Sequence, residues 1–146
     1  MSELSTKNIG TTANLKPNYW IVLKDLFYGI MLPSGNDAAH LLAEVFGYLL
    51  LTYSLEEKHN LAFLREIDLT THNASPYMAE FIKAMNCKAD ELGLQQTRFS
   101  NPHGLQNGMN LSTAKDVIAL SRYVSKNETF RKIMNTEKYH CYNHNG

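Results

Sequence analysis

The chain has 146 residues, 14 Lys plus Arg against 14 Asp plus Glu, and a hydrophobic fraction of 44%. That length accommodates one domain with a true core, and the composition is that of a folded protein rather than a disordered one. A formal charge of zero, with no basic run interleaved with aromatics, argues against nucleic acid or an anionic membrane as partner.

Residues 1–20 are polar and without periodicity, and read as loop with one short extended piece. Met1 to Lys7 has neither the apolar core nor the small-residue cleavage site of a secretory signal, so the chain as written reads as soluble and unexported. Leu23, Leu26, Phe27 and Ile30 then recur at helical spacing, with Lys24 and Asp25 expected on the opposite face. Pro33 disfavours helical geometry at Leu32 and should end this helix. In the following turn, Ser34-Gly35-Asn36, Gly35 supplies backbone freedom. Asn36 or Asp37 caps the next helix, and whichever does not is expected to point outward. The expectation is a hydroxyl and a carboxamide held together at the mouth of two helices. Taken alone, Ser-Gly-Asn is only a good connector.

The second helix should run from Asn36 to about Tyr53, with Leu41, Leu42, Val45 and Phe46 on one side. Val45 to Tyr53 is apolar all round but far too short to span a bilayer, so it reads as a core helix. From Ser54 to Ala74 the sequence becomes charged and irregular, a surface excursion with one short amphipathic helix. Ser75-Pro76 is a start signal. Met78, Phe81, Ile82, Met85, Ala89 and Leu92 mark the buried face of the helix that follows, and Gly93 its left-handed end. Thr97 to Leu105 contains two turn formers in succession and reads as a structured loop.

Ser112 to Lys126 is expected to be helical, with Val117, Ile118, Leu120, Ser121 and Val124 facing inward. Asn127-Glu128 opens a short helix containing Phe130, Ile133 and Met134. Beyond Asn135, the alternation of Tyr139, Cys141 and Asn143 with His140 and Tyr142 reads as a strand. Cys87 and Cys141 fit no Cys-x-x-Cys pattern and read as free, partly buried thiols. His140-Cys141-x-x-His144 has ligand-type residues but no evident fourth partner, so no metal is expected.

The run from Asp25 to Ala39, with Asn14-Leu15-Lys16 before it and Asn101-Pro102-His103-Gly104-Leu105 after it, closely resembles the serine D-alanyl-D-alanine carboxypeptidases. These are the low-molecular-mass penicillin-binding proteins of the serine β-lactamase-like superfamily. Met85-Asn86, Ala89 to Leu94 and Thr97 to Leu105 carry the same resemblance. It implies a mainly α chain: the helical lobe of an α+β fold, its antiparallel sheet largely missing and a short strand near the C-terminus. Residues 1–146 would form a single partial domain with a family-atypical insertion at about 54–74.

Such enzymes are serine-type peptidases that assemble Ser-x-x-Lys, Ser-x-Asn and Lys-Thr-Gly around an acyl-serine intermediate. By resemblance, Ser34 belongs to the proton relay, and Asn36 with Gly35 to substrate binding, none of them being the nucleophile. Ser-x-x-Lys occurs once, at Ser112-Thr113-Ala114-Lys115. It follows the Ser-Gly-Asn turn, where the family places its nucleophile before it, and it sits in a helix-capping phrase with Asp116 near the positive end of the dipole. It is therefore set aside. Lys-Thr-Gly is absent from these residues. The expectation is the middle of a catalytic domain, with the nucleophile upstream and Lys-Thr-Gly just beyond Gly146. No catalytic role is carried to His103, and neither metal nor organic cofactor is implied. The implied partners are a peptide substrate or a β-lactam once the missing segments are supplied, and association through exposed apolar surface. Family members are exported; the chain itself leaves its location open. The alternative is a non-catalytic helical remnant that binds or interacts but has lost the chemistry.

Overall fold

The computed structural model describes residues 10–17, 19–52, 74–141 and 144–145. The order is β1 (Tyr19–Trp20), α1 (Leu23–Met31), α2 (Asn36–Thr52), α3 (Ala74–Glu91), α4 (Ala114–Val124), α5 (Glu128–Met134) and β2 (His144–Asn145). The architecture is mainly α, as expected. The two strands pair antiparallel, Tyr19 opposite Asn145 and Trp20 opposite His144, which ties the two ends of the described chain together. The C-terminal strand thus exists, though it is only two residues long and lies beyond the Tyr139–Cys141 stretch expected to begin it.

Leu32 donates the last helical hydrogen bond of α1, to Tyr28 O at 2.9 Å, and Pro33 cannot continue the ladder. The core that α1 and α2 share centres on Leu26, Ala38 and Leu41, with Ala13, Leu15 and Ile30 packed against it. The expected outward face of α1 needs correction. Lys24 is exposed, but Asp25 is buried, and Tyr139 donates its phenol O–H to Asp25 Oδ1 at 2.6 Å. The Tyr139 ring also stacks on Tyr28, with centroids 3.6 Å apart. A segment more than a hundred residues away covers the side that periodicity alone assigns to solvent.

α2 packs on α3. Gly47 permits this, because a Cβ there would fall 1.9 Å from the carbonyl oxygen of Tyr77. One turn of close backbone approach is flanked by an edge-to-face contact between Tyr48 and Tyr77. Of the excursion expected at 54–74, residues 54–73 lie outside the described residues, and Ala74 belongs to α3 instead. α3 begins at Ala74, so Pro76 sits within the first turn, where its missing donor removes no helical hydrogen bond. Of the face expected on α3, Ala89 is buried, while Met78, Phe81, Ile82, Met85 and Leu92 are half-buried. The helix ends in a Schellman motif: Leu94 N–H reaches Ala89 O at 2.9 Å, Gly93 N–H reaches Asp90 O at 3.0 Å, and Gly93 has φ of +71°. Leu94, 2% exposed, pins the motif to the core.

α4 is capped by Thr113 and α5 by Asn127, whose side chain accepts from Phe130 N–H at 2.9 Å. The inner face assigned to α4 is a second correction. Val117 and Ile118 are more than half exposed, and Asp116 is the side chain that α4 buries. Cys87 and Cys141 are free, as expected, but exposed rather than partly buried. No helix among the described residues is long and apolar enough to cross a membrane.

Candidate active site

Ser34-Gly35-Asn36 forms the elbow between α1 and α2, and its backbone is held from two sides. On one side Gly35 N–H bonds Gly29 O at 3.1 Å; on the other, Asn36 N–H bonds Thr11 O at 2.9 Å and Thr11 Oγ1 donates to Ser34 O at 2.5 Å. The unusual backbone belongs to Ser34, with φ of 55°, and not to Gly35 as the sequence suggested. Gly35 is required for a different reason: a Cβ there would lie 2.6 Å from Gly29 O and 2.8 Å from Ala13 N, so only glycine lets the three strands of backbone meet. A serine held in the left-handed region costs free energy, and such residues cluster at functional sites.

Ser34 is exposed, while Asn36 is 3% exposed and Asp37 2%. The expectation that one of the latter two points outward is overturned. The segment 11–15 runs over the start of α2, and the Asp37 carboxylate collects it. Oδ1 accepts from Ala13 N–H at 2.8 Å and from Ala38 N–H at 2.9 Å, and Oδ2 from Thr12 Oγ1 at 2.6 Å and Leu15 N–H at 3.0 Å. Burial by itself would raise the pKa of Asp37, but these four donors outweigh it and hold the carboxyl below the usual carboxylate range. The carboxamide of Asn36 lies beneath Gly10, where a Cβ would come 2.6 Å from Nδ2, and Leu105 is 3.7 Å from the same point. Two stretches singled out in the sequence, the elbow and the Asn101–Leu105 loop, therefore converge.

That loop is built on asparagines. Asn101 accepts from Gly104 N–H (2.7 Å) and donates to Leu105 O (2.8 Å); Asn110 Oδ1 accepts from Ser100 N–H (2.8 Å). Asn86 on α3 pairs with both polar groups of the Phe99 backbone, at 2.8 and 2.9 Å. An open cleft of about 490 Å³ lies along the loop, lined by Met85, Arg98, Phe99, His103 and Ser112 among others. His103 Nδ1 accepts from Leu105 N–H at 3.2 Å. Burial lowers the pKa of His103; burial first, and then the nearby His103 charge, lowers that of His40 on α2. His40 Nε2 stands 3.9 Å from the fully buried Glu44.

Ser112 lies before the capping residue of α4, outside the helix, and its hydroxyl pairs with Thr97 Oγ1 at 2.9 Å. A Ser-x-x-Lys pair needs both residues on one helical turn to share a face, and Ser112 is not on that turn. Asp116, beside it, anchors the loop instead by accepting from Gln96 N–H (2.9 Å) and Thr97 Oγ1 (2.8 Å). For His140-Cys141-x-x-His144, Cys141 Sγ approaches Asp25 O at 3.9 Å, and no group of three metal-ligating side chains stands among the described residues. What the sequence did not reveal is the contribution of Thr11, Thr12 and Asp37. Their pairing spans more than twenty residues of chain and follows no periodicity that could have exposed it.

Solved structures share this fold. A mutant of the Streptomyces DD-transpeptidase superposes over 94% of the chain and 46% of its own length, with a TM-score of 0.75 and 29% identity. The D-alanyl-D-alanine carboxypeptidase DacD of Francisella tularensis does so over 91% and 26%, with a TM-score of 0.68 and 27% identity. The described residues thus form the helical lobe of a DD-peptidase fold.

The family model for D-alanyl-D-alanine carboxypeptidase matches residues 70–145. A D-alanyl-D-alanine carboxypeptidase of Streptomyces sp. is 30% identical over 138 residues, and DacF of Bacillus subtilis, another such carboxypeptidase, is 30% identical over 135. The chain belongs to the D-alanyl-D-alanine carboxypeptidase family. It spans 40% of the Streptomyces protein and 28% of the Bacillus one.

Proposed function

We propose that this chain supplies the Ser-x-Asn wall of a serine-type D-alanyl-D-alanine carboxypeptidase, in which a terminal D-alanine is removed through an acyl-serine intermediate. The substrate class is a peptide ending in D-alanine, with β-lactams as mimics. Ser34 takes part in the proton relay toward the leaving amine, and Asn36 with Gly35 orients the substrate amide. Acyl transfer depends on donors and proton carriers fixed before the reaction begins. One observation carries the reading: an exposed serine on a backbone pinned by Thr11 and Gly29, two residues before a buried asparagine. The nucleophile and its lysine are not among these 146 residues, and neither is Lys-Thr-Gly.

Fluorescent penicillin tests this. The 146-residue chain should take no covalent label, whereas a polypeptide joining it to Ser-x-x-Lys and Lys-Thr-Gly segments of the family should be labelled, more slowly when Ser34→Ala is introduced. Labelling of the chain by itself, above all at Ser112, overturns the reading. The outward Val117 and Ile118 favour association through apolar surface. Sedimentation velocity of the wild type against Ile118→Lys measures it, with a shift toward monomer expected in the variant.

A further inference from the structure

We infer that Asp37 is a positioning residue for the Ser-Gly-Asn elbow: its carboxylate clasps the segment 11–15, and that segment in turn sets the backbone of Ser34 and Asn36. The assignment rests on the reading of Ser34 and Asn36 as site residues, but its mechanical part stands on geometry alone.

The force path is short. Asp37 is nearly inaccessible and accepts from Thr12 Oγ1, Ala13 N–H and Leu15 N–H, three donors on one extended stretch, besides Ala38 N–H on its own helix. Thr12 Oγ1 in turn receives Asn14 N–H at 3.0 Å, and Asn14 has φ of 59°, so the stretch bends around the carboxylate. Immediately before these donors stands Thr11. Its carbonyl receives Asn36 N–H and its hydroxyl reaches Ser34 O, one bond on each side of Gly35. Gly35 lies so close to Ala13 N and Gly29 O that no side chain fits between them, which brings the segment and the elbow into direct backbone contact. Apart from the Gly35 N–H bond to Gly29 O, nothing local favours φ of 55° at Ser34; a serine left to itself returns to negative φ. Segment 11–15 supplies the two bonds that flank Gly35, alongside the Gly35 bond to Gly29 within the turn, and the buried anion seats that segment. A carboxylate is suited to the task because it is acceptor-only and can take all four donors, whereas a carboxamide would present an N–H₂ group to two of them.

Amide hydrogen exchange on the 146-residue chain tests the clasp. Asp37→Asn should accelerate exchange at Asn36, Ala13 and Leu15 roughly ten- to a hundredfold, while Ala89 in α3 and Phe130 in α5 keep their protection. Thr12→Val should reproduce a part of the effect and Thr12→Ser should restore protection, which keeps the test open if Asp37→Asn does not fold. In the polypeptide carrying all three family motifs, the same variants should slow acylation by penicillin in the same order. Uniform acceleration at every amide, or unchanged exchange at Asn36, overturns the clasp. Local acceleration with unaltered acylation by a labelling-competent polypeptide would show that the clasp exists but does not position the site. Failure of every polypeptide to label, with local acceleration intact, would count against the enzyme reading and not against the clasp.

Discussion

Replacing Gly47 by alanine sets two effects of opposite sign against each other. In the middle of α2, alanine is the better helix former by about 1 kcal/mol, so a surface glycine at this place would be improved by the change. Here the added methyl would sit 1.9 Å from Tyr77 O and 2.5 Å from Tyr77 C. These are backbone atoms of α3 that cannot rotate aside, so the helices must part by more than an ångström. Overpacking at a close helix contact costs about 3 kcal/mol at the upper end of its usual range, and separating the Tyr48–Tyr77 rings forfeits about 1 kcal/mol more. The net expectation, about 3 kcal/mol of destabilisation, is a large part of the stability of a domain this size. Urea unfolding followed by circular dichroism should show a lower midpoint with an unchanged slope. Gly93→Ala is the control. No atom lies within 4 Å of its would-be Cβ, and its cost comes only from φ of +71°, about 1 kcal/mol. If Gly47→Ala proves as stable as the wild type, or loses no more than Gly93→Ala, the helix contact does not limit the fold and the argument fails.

Further outcomes follow from the same contacts. Because hydrogen bonds lower the pKa of Asp37 in the folded chain, its stabilisation is complete above the usual carboxylate range and is lost as pH falls through that range to the folded value; thermal midpoints of wild type and Asp37→Asn should differ at neutral pH and converge in acid. For His40 and His103 the folded state resists the proton, so stability should decline as pH drops from about 7 to 5. His40→Gln should flatten that slope in a pH series of unfolding curves. Asn86→Ala strands both the N–H and the C=O of Phe99 and should cost about 2 kcal/mol in urea unfolding; no change would mean that water replaces the side chain fully. Asn127→Ala should cost about 1 kcal/mol and lower helicity by circular dichroism.

Local signals in the sequence proved dependable where the physics is local. Asn127-Glu128 as the opening of α5, Gly93 as a left-handed stop and Pro33 as the limit of α1 each act within a few residues, and each agrees with the structure, which adds that Asn127 is the cap. The errors share a cause. Helical periodicity assigns Asp25 to solvent because its partner, Tyr139, is 114 residues away. The local pattern makes Asn36 and Asp37 rival caps, yet both are buried because segment 11–15 folds over them. In α4, Val117 and Ile118 have the spacing of a core face, but periodicity says only that they share a side, not that anything among the described residues covers it. For the candidate site, family resemblance points to Ser34 and Asn36; the left-handed backbone of Ser34 and the crowding at Gly35 depend on Thr11, Ala13 and Gly29, whose approach no local pattern in the sequence announces.

The Tyr139–Asp25 bond and the pairing of residues 19–20 with 144–145 bear on folding kinetics. Helices grow in well under a millisecond and their contacts are near in sequence, but these two ties close a loop that includes nearly the whole chain. The entropy of that closure must be met before the tyrosine ring stack can reward it. Seating of the last segment on α1, rather than growth of any helix, should therefore set the rate at which the lobe matures. A chain caught before that event would hold its helices while Asp25 still faced water.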